Sequence, residues 1–284
     1  MGIKTLLKRI FPLPAMWTIR ANRDLINYLN RKFSLLNVLM KRLLVIESLI
    51  EGIMDSIDYS KKMCPICEAE FNVYMPFGEN LRKNAQCPNC GSVERHRALW
   101  LFFEDANLLK EDKGRKINLL HFAPEKVFHD IFMNSSDIEY YPVDFNANHP
   151  LIRDVVDIQQ IQYKDDMFDM IICTHVLEHV PDDKLAMREL YRVLKSGGTA
   201  FLNSPVFNIE ETIEDPDYNT PQLRLKYYGQ SDHYRKYGND YTQRLESVGF
   251  EVELIEPNRV YTNEQLIRYG LSPNERIYTC KKNK

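Results

Sequence analysis

The chain has 284 residues, 44% of them hydrophobic and 27% charged, and a formal net charge of −3. That is the composition of a globular protein with one sizeable core plus accessory pieces. No stretch approaches the ~18 consecutive apolar residues of a membrane span. The first residues, with Lys4, Lys8 and Arg9, lack an export signal's apolar run and cleavage site, so a cytoplasmic protein is expected.

Residues 1–60 read as an N-terminal helical region. Between 17 and 58, Leu29, Leu36, Leu43, Ile50 and Ile57 recur every seven residues, and Leu39, Ile46 and Ile53 follow three residues after successive members. This is a heptad seam that must pack on something. Three partners fit: the rest of the chain, a second copy in a homodimer, or an anionic membrane surface. The last reading draws on the charge, since residues 1–46 hold nine Lys/Arg against Asp24 alone.

Residues 61–97 carry Cys64-Pro-Ile-Cys67 and Cys87-Pro-Asn-Cys90-Gly91. Two C-x-x-C pairs at this spacing match a four-thiolate zinc site, each tight turn aiming two sulfurs at one ion. Four thiolates close the shell, so the expected zinc is structural. Gly91 suits a positive φ where the chain reverses. Ser92 is a candidate N-cap for a helix over Ala98–Leu109. Arg95, His96 and Arg97 read as a solvated first turn, with a ligand contact as the alternative. Residues 98–115 then form a linking helix and connector.

From residue 116 to 284 short apolar runs alternate with helical stretches. Strands are expected at Ile117–Phe122, Tyr140–Val143, Phe168–Cys173, Thr199–Asn203, Val252–Ile255 and Arg276–Cys280. Helices are expected at Lys126–Phe132, Lys184–Leu194 and Tyr241–Val248. This alternation implies an α/β fold, a doubly wound and mostly parallel sheet whose ligands bind at the carboxyl ends of the strands. Residues at those ends are Ala123 and Glu125 after the first strand, Asp144 after the second, Asp157 and Ile158 in the third loop, and Thr174 and His175 after the fourth. An acid at Asp144 can accept both ribose hydroxyls of a nucleoside cofactor.

Three segments sharpen this reading. Asp157-Ile-Gln-Gln-Ile-Gln-Tyr-Lys-Asp165-Asp-Met-Phe168-Asp169 is similar to a segment of class I methyltransferases of the type 11 group. His175-Val-Leu-Glu178-His179-Val-Pro and Arg188-Glu-Leu-Tyr-Arg192-Val-Leu-Lys-Ser-Gly197-Gly198 resemble two more of their segments, in the same order. The chain also looks like a bacterial subgroup with a C-P-x-C zinc module. The resemblance implies a Rossmann-like, seven-stranded sheet with an antiparallel last strand, S-adenosylmethionine as cofactor, and methyl transfer to a nucleophile. One departure stands out. The family's glycine-rich first loop becomes Ala123-Pro124-Glu125, where Glu125 could meet the cofactor's α-amino group.

For a hydroxyl acceptor, His175 and His233 are the candidate general bases, since histidine titrates near neutrality. His179 is expected to cap or pack the turn. Pro205–Gly238 is long for a connection and holds acids together with Tyr218, Tyr227, Tyr228, Tyr234 and Tyr237, which suits a sugar or glycan acceptor. Residues 116–284 hold 19 Lys/Arg against 27 Asp/Glu, which disfavours a nucleic-acid substrate. Two other functions remain open: an RNA-modifying methyltransferase, and a catalytically inactive scaffold with the same fold. Cys173 and Cys280 read as buried, inert thiols.

Overall fold

The computed structural model describes residues 43, 46, 61–78, 81–110 and 114–283. The heptad seam of residues 17–58 lies outside them, apart from Leu43 and Ile46, each helical and exposed. The chain clusters into two units. One comprises residues 1–61 and 71–86; the other comprises 62–70 and 87–284. In the first, Met75–Phe77 and Arg82–Gln86 form an antiparallel hairpin, and Phe71 meets Tyr74 edge to face. The second unit contains both cysteine pairs and the whole main sheet, so this grouping divides the chain differently from a module at 61–97 and a domain at 116–284.

That sheet has seven strands: β1 Ile117–Phe122, β2 Ile138–Asp144, β3 Asp154–Val155, β4 Phe168–Thr174, β5 Leu194–Asn203, β6 Glu251–Ile255 and β7 Ile277–Lys281. Their spatial order is β6-β7-β5-β4-β1-β2-β3. β7 runs antiparallel to both neighbours, and the β5-β4-β1-β2-β3 pairs are parallel. This is the expected doubly wound sheet with its antiparallel last strand. Chain order reverses between β1 and β4, which places the ligand crevice at their carboxyl ends.

Strand alternation divides the core into two layers. Leu120, Phe122, Ile171 and Cys173 face one side, with Ala186, Met187 and Leu190 of α3 (Asp183–Val193) and Leu245 of α5 (Tyr241–Glu246). Leu119, Met170 and Ile172 face the other, with Leu99 and Phe103 of α1 (Glu94–Asp105), Phe128 and Phe132 of α2 (Lys126–Met133), and Leu266 of α7 (Asn263–Tyr269). So α1 is a layer of the sheet's own core rather than a connector. Cys173 and Cys280 are buried, and burial raises both thiols. Among the described residues no helix is long and apolar enough to cross a membrane.

Two expectations need correction. Ser92 does not cap α1. The N-cap is Val93, whose N–H donates to His96 Nδ1, so a histidine fills the role a Glu or Gln has in a capping box. His96 and Arg97 are not solvated: both are buried, and Arg97 donates to the carbonyls of Ser92 (2.7 Å), Tyr269 (2.8 Å) and Gly270 (2.5 Å). The long connection 205–238 carries secondary structure of its own. It holds α4 (Pro221–Tyr228) and bridges Val206 to Tyr237 and Ile213 to Lys236. A Cβ on Gly238 would lie 2.6 Å from the Glu211 carbonyl carbon, so only glycine fits that crossing. Tyr228 and Tyr237 are buried, so these two rings serve packing, and Tyr218 stacks on Tyr227 at 3.9 Å.

Candidate functional site

The residues that follow the two central strands share a backbone feature. Ala123, after β1, has φ +50°, and His175, after β4, has φ +57°. Both continue their ladders: the Ala123 N–H donates to Val143 O at 3.0 Å, and the His175 N–H to Asn203 O at 2.8 Å. Non-glycine residues in this left-handed region are strained, and such strain concentrates at functional sites. Thr174, beside His175, has its Oγ1 buried with no hydrogen-bond partner. A buried orphan hydroxyl at the end of a central strand is a vacant donor or acceptor for a ligand.

The other predicted residues lie along the same edge. Asp144 ends β2, and its Oδ1 accepts the Asn146 N–H at 2.7 Å. Asp157 Oδ1 accepts the Gln159 N–H at 2.8 Å, and Ile158 is buried beside it. Glu125 points at two rings: its Oε2 is 3.1 Å from His121 Nε2, and its Oε1 is 3.5 Å from His96 Nε2. Burial opposes ionisation of Glu125, but the hydrogen bond with His121 and the nearby His96 ring outweigh it and hold the carboxyl well below the usual range. Burial lowers the pKa of His96 despite the pull of Glu125, so that ring is neutral at pH 7.

His175 is partly exposed, and its Nδ1 lies 3.2 Å from Glu178 Oε1. Glu178 is buried and accepts a second hydrogen bond from Ser204 Oγ at 3.0 Å. Its burial favours the neutral acid, yet the hydrogen bond with His175 and that residue's charge keep the carboxyl below its ordinary pKa. His233, the other predicted base, is buried, and burial and then His179 lower its pKa. His179 does close the short turn Leu177–His179, and its ring also meets His233 edge to face at 4.6 Å.

This turn is strapped down by the post-β5 segment. Fully buried Arg235 donates to the carbonyls of Leu177 (2.8 Å), Val180 (2.6 Å) and Pro181 (2.8 Å), and to Glu214 Oε1 (3.0 Å). The Tyr234 N–H donates to Glu178 O at 2.8 Å. Sequence reading missed Arg235 and the role of Glu178. The one available signal was Glu178 three residues after His175, a spacing that brings both side chains together on a helical turn.

The four expected zinc ligands converge. Cys64, Cys67, Cys87 and Cys90 bring their sulfurs within 4.8 Å of one another. The Cys64–Cys90 and Cys67–Cys87 separations are both 3.7 Å. A tetrahedral shell with Zn–S of about 2.3 Å has edges of about 3.8 Å, so the donor set fits the ion. The two turns are alike: Glu68 N–H donates to Cys64 O and Gly91 N–H to Cys87 O, with φ +55° at Glu68 and the expected positive φ, +76°, at Gly91. Ser92 Oγ lies 3.3 Å from Cys64 Sγ and 3.2 Å from Cys90 Sγ, an outer-shell place that the helix-cap reading overlooked.

Residues 138–202, spanning all three resembling segments, match a family model described as a methyltransferase domain, of the type 11 group. The cysteine cluster lies outside that match. A search of curated proteins found no match. Similar solved structures include YcgJ of Bacillus subtilis, with 16% identity, 66% of this chain and 100% of that one covered, and a TM-score of 0.39. Phosphoethanolamine N-methyltransferase 2 of Haemonchus contortus, solved with phosphomonomethylethanolamine and S-adenosylhomocysteine, shows 11% identity, coverage of 66% and 53%, and a TM-score of 0.44. The cyclase SpnF shows 13% identity, coverage of 86% and 96%, and a TM-score of 0.44. The chain thus has a stretch similar to a methyltransferase domain, set within a Rossmann-like, seven-stranded sheet.

Proposed function

We propose that the protein transfers a methyl group from S-adenosylmethionine to an oxygen of a small-molecule, sugar or glycan acceptor. The observation that carries this reading is the pair of left-handed residues, Ala123 and His175, at the carboxyl ends of adjacent central strands, with the partnerless hydroxyl of Thr174 beside them. Bound there, the cofactor supplies an electrophilic methyl on a sulfonium sulfur. Asp144 keeps Oδ2 for the ribose hydroxyls, and Asp157 and Ile158 border the adenine. The turn at Ala123 lets backbone approach the methionine part. Glu125 already meets two imidazoles, but a carboxylate offers about four acceptor sites, so capacity remains for the α-ammonium.

His175 is the general base of this reading. With Nδ1 fixed by buried Glu178, Nε2 is the nitrogen that takes the acceptor's proton. The domain's main contribution is to align acceptor oxygen, methyl and sulfur in a water-poor cleft. Zinc at Cys64, Cys67, Cys87 and Cys90 is structural, because its shell is full.

Calorimetric titration of the zinc-loaded, folded chain tests the reading. S-adenosylmethionine and its demethylated product should bind in the micromolar range, about −8 kcal/mol. Asp144→Ala should weaken both about tenfold or more, by losing hydrogen bonds to a charged group. No binding by folded protein would sink the enzyme reading and favour the inactive scaffold. Label appearing only on RNA would sink the acceptor assignment.

A further inference from the structure

Three side chains with metal-ligating chemistry converge past the carboxyl end of β4, away from the cysteines. Glu178 and His179 close the turn Leu177–His179, and His233 arrives from the segment after β5. One ligand atom of each lies within 4.8 Å of the other two. Glu178 and His233 are both more than nine-tenths buried. His233 Nε2 is buried with no hydrogen-bond partner. A folded chain rarely leaves such a nitrogen unmet without an ion, a water or a chemical role to explain it.

The surroundings have the form of an outer shell. Asp232 Oδ2 lies 3.2 Å from His179 Nδ1, and a carboxylate on the second nitrogen of a ligating histidine is the usual means of orienting its ring. Ser204 Oγ donates to Glu178 Oε2 at 3.0 Å. The Tyr234 N–H and Arg235 fix the turn itself, so Glu178 and His179 are held by the segment that delivers His233. Two imidazoles and one carboxylate, with coordination positions left open, make a donor set for a borderline divalent ion rather than for calcium or magnesium.

We propose that Glu178, His179 and His233 bind a divalent transition-metal ion, distinct from the cysteine-bound zinc, whose open positions take the acceptor oxygen. This role rests on the methyl-transfer reading above; the binding site does not. Coordination acidifies the acceptor hydroxyl. Its O–H bond breaks, and the proton passes to His175 Nε2. An oxygen lone pair then forms the new bond to the methyl carbon as the carbon–sulfur bond breaks with its electrons left on sulfur. The acceptor is thereby narrowed to a hydroxyl compound that can reach a metal, with a diol or sugar the best match.

The test uses the full chain carrying one equivalent of zinc at the cysteines. Manganese(II), which avoids thiolates, is titrated in and followed by calorimetry and by loss of the free-ion electron paramagnetic resonance signal. One further saturable equivalent is expected, with affinity at least tenfold lower in His233→Asn and in Glu178→Gln. His179→Asn, at a half-exposed position, serves as a second variant should the buried substitutions unfold the chain. Cobalt(II) should likewise add a second equivalent whose spectrum lacks thiolate charge transfer. Absence of a second equivalent of cobalt(II) in the wild-type chain would overturn the site, as would unchanged binding in folded variants. S-adenosylmethionine titrated into the same samples separates the two ideas. Cofactor binding without a second metal removes the site alone; a second metal without cofactor binding removes the methyl-transfer role and keeps the site.

Discussion

Arg235→Lys should be among the most damaging conservative substitutions in the chain. The guanidinium is fully buried and donates to the carbonyls of Leu177, Val180 and Pro181. A lysine ammonium keeps the charge but can meet one of these in good geometry, because it lacks the planar fork. Hydrogen bonds to charged groups contribute about 1.5–3 kcal/mol each, so two lost carbonyl contacts amount to roughly 3–6 kcal/mol before relaxation. Glu214 adds little, being 38% exposed and screened. Asp183 is not stranded, since Arg244 binds both its oxygens and Tyr237 Oη donates to it at 2.7 Å. The expected loss is therefore about 3–5 kcal/mol, the range for breaking a buried charge arrangement. Urea unfolding of the zinc-loaded chain measures it. With a slope of about 2–3 kcal/mol per molar, the midpoint should fall by about 1–2 M. A loss under about 1 kcal/mol would refute the claim that this arginine holds the turn after β4.

Two further outcomes follow from the same contacts. His96→Gln keeps a side-chain acceptor for the Val93 N–H but removes a buried ring whose pKa burial has lowered. Below pH 6.5 the unfolded chain takes up a proton that the folded chain refuses, so stability falls as pH drops from there towards the lowered folded pKa; denaturation midpoints between pH 5 and 6.5 should depend less on pH in the variant. Identical slopes would show that the fold does not lower the His96 pKa. Ser92→Ala removes the hydroxyl that contacts Cys64 and Cys90 sulfurs, and zinc retention against a chelator should drop about 10–100-fold.

Most of the sheet was legible because strands β1, β2, β4 and β5 are short apolar runs bounded by polar turns. Their predicted limits differ from the observed ones by no more than two residues at most ends, the start of β5 excepted. The cysteine spacing foretold a cluster because two tight turns can hold four sulfurs without help from distant residues. What the sequence hid depends on long-range partners. Nothing near His96 or Arg97 in sequence signals burial; they go inside because Glu125 and the Tyr269 and Gly270 carbonyls receive them. The helix and bridges of segment 205–238 stayed hidden because its apolar anchors, Tyr228 and Tyr237, also carry hydroxyls. α4, α6 (Pro257–Val260) and α7 escaped notice because they are short and weakly patterned.

The contacts of Arg97 also set an order of events during synthesis. The cysteine sulfurs that gather are at most 26 residues apart, so that loop can close early around an ion. Arg97 instead waits for carbonyls 172 and 173 residues further along. At ~5–20 residues per second the ribosome takes roughly ten to thirty seconds to deliver them. Through that interval the nascent chain can gather its four cysteines while Arg97 of α1 still lacks the Tyr269 and Gly270 carbonyls. A chain released before residue 269 would keep its four cysteines and still lack two of the three carbonyls that receive this cation, so burial of Arg97 depends on the C-terminal segment.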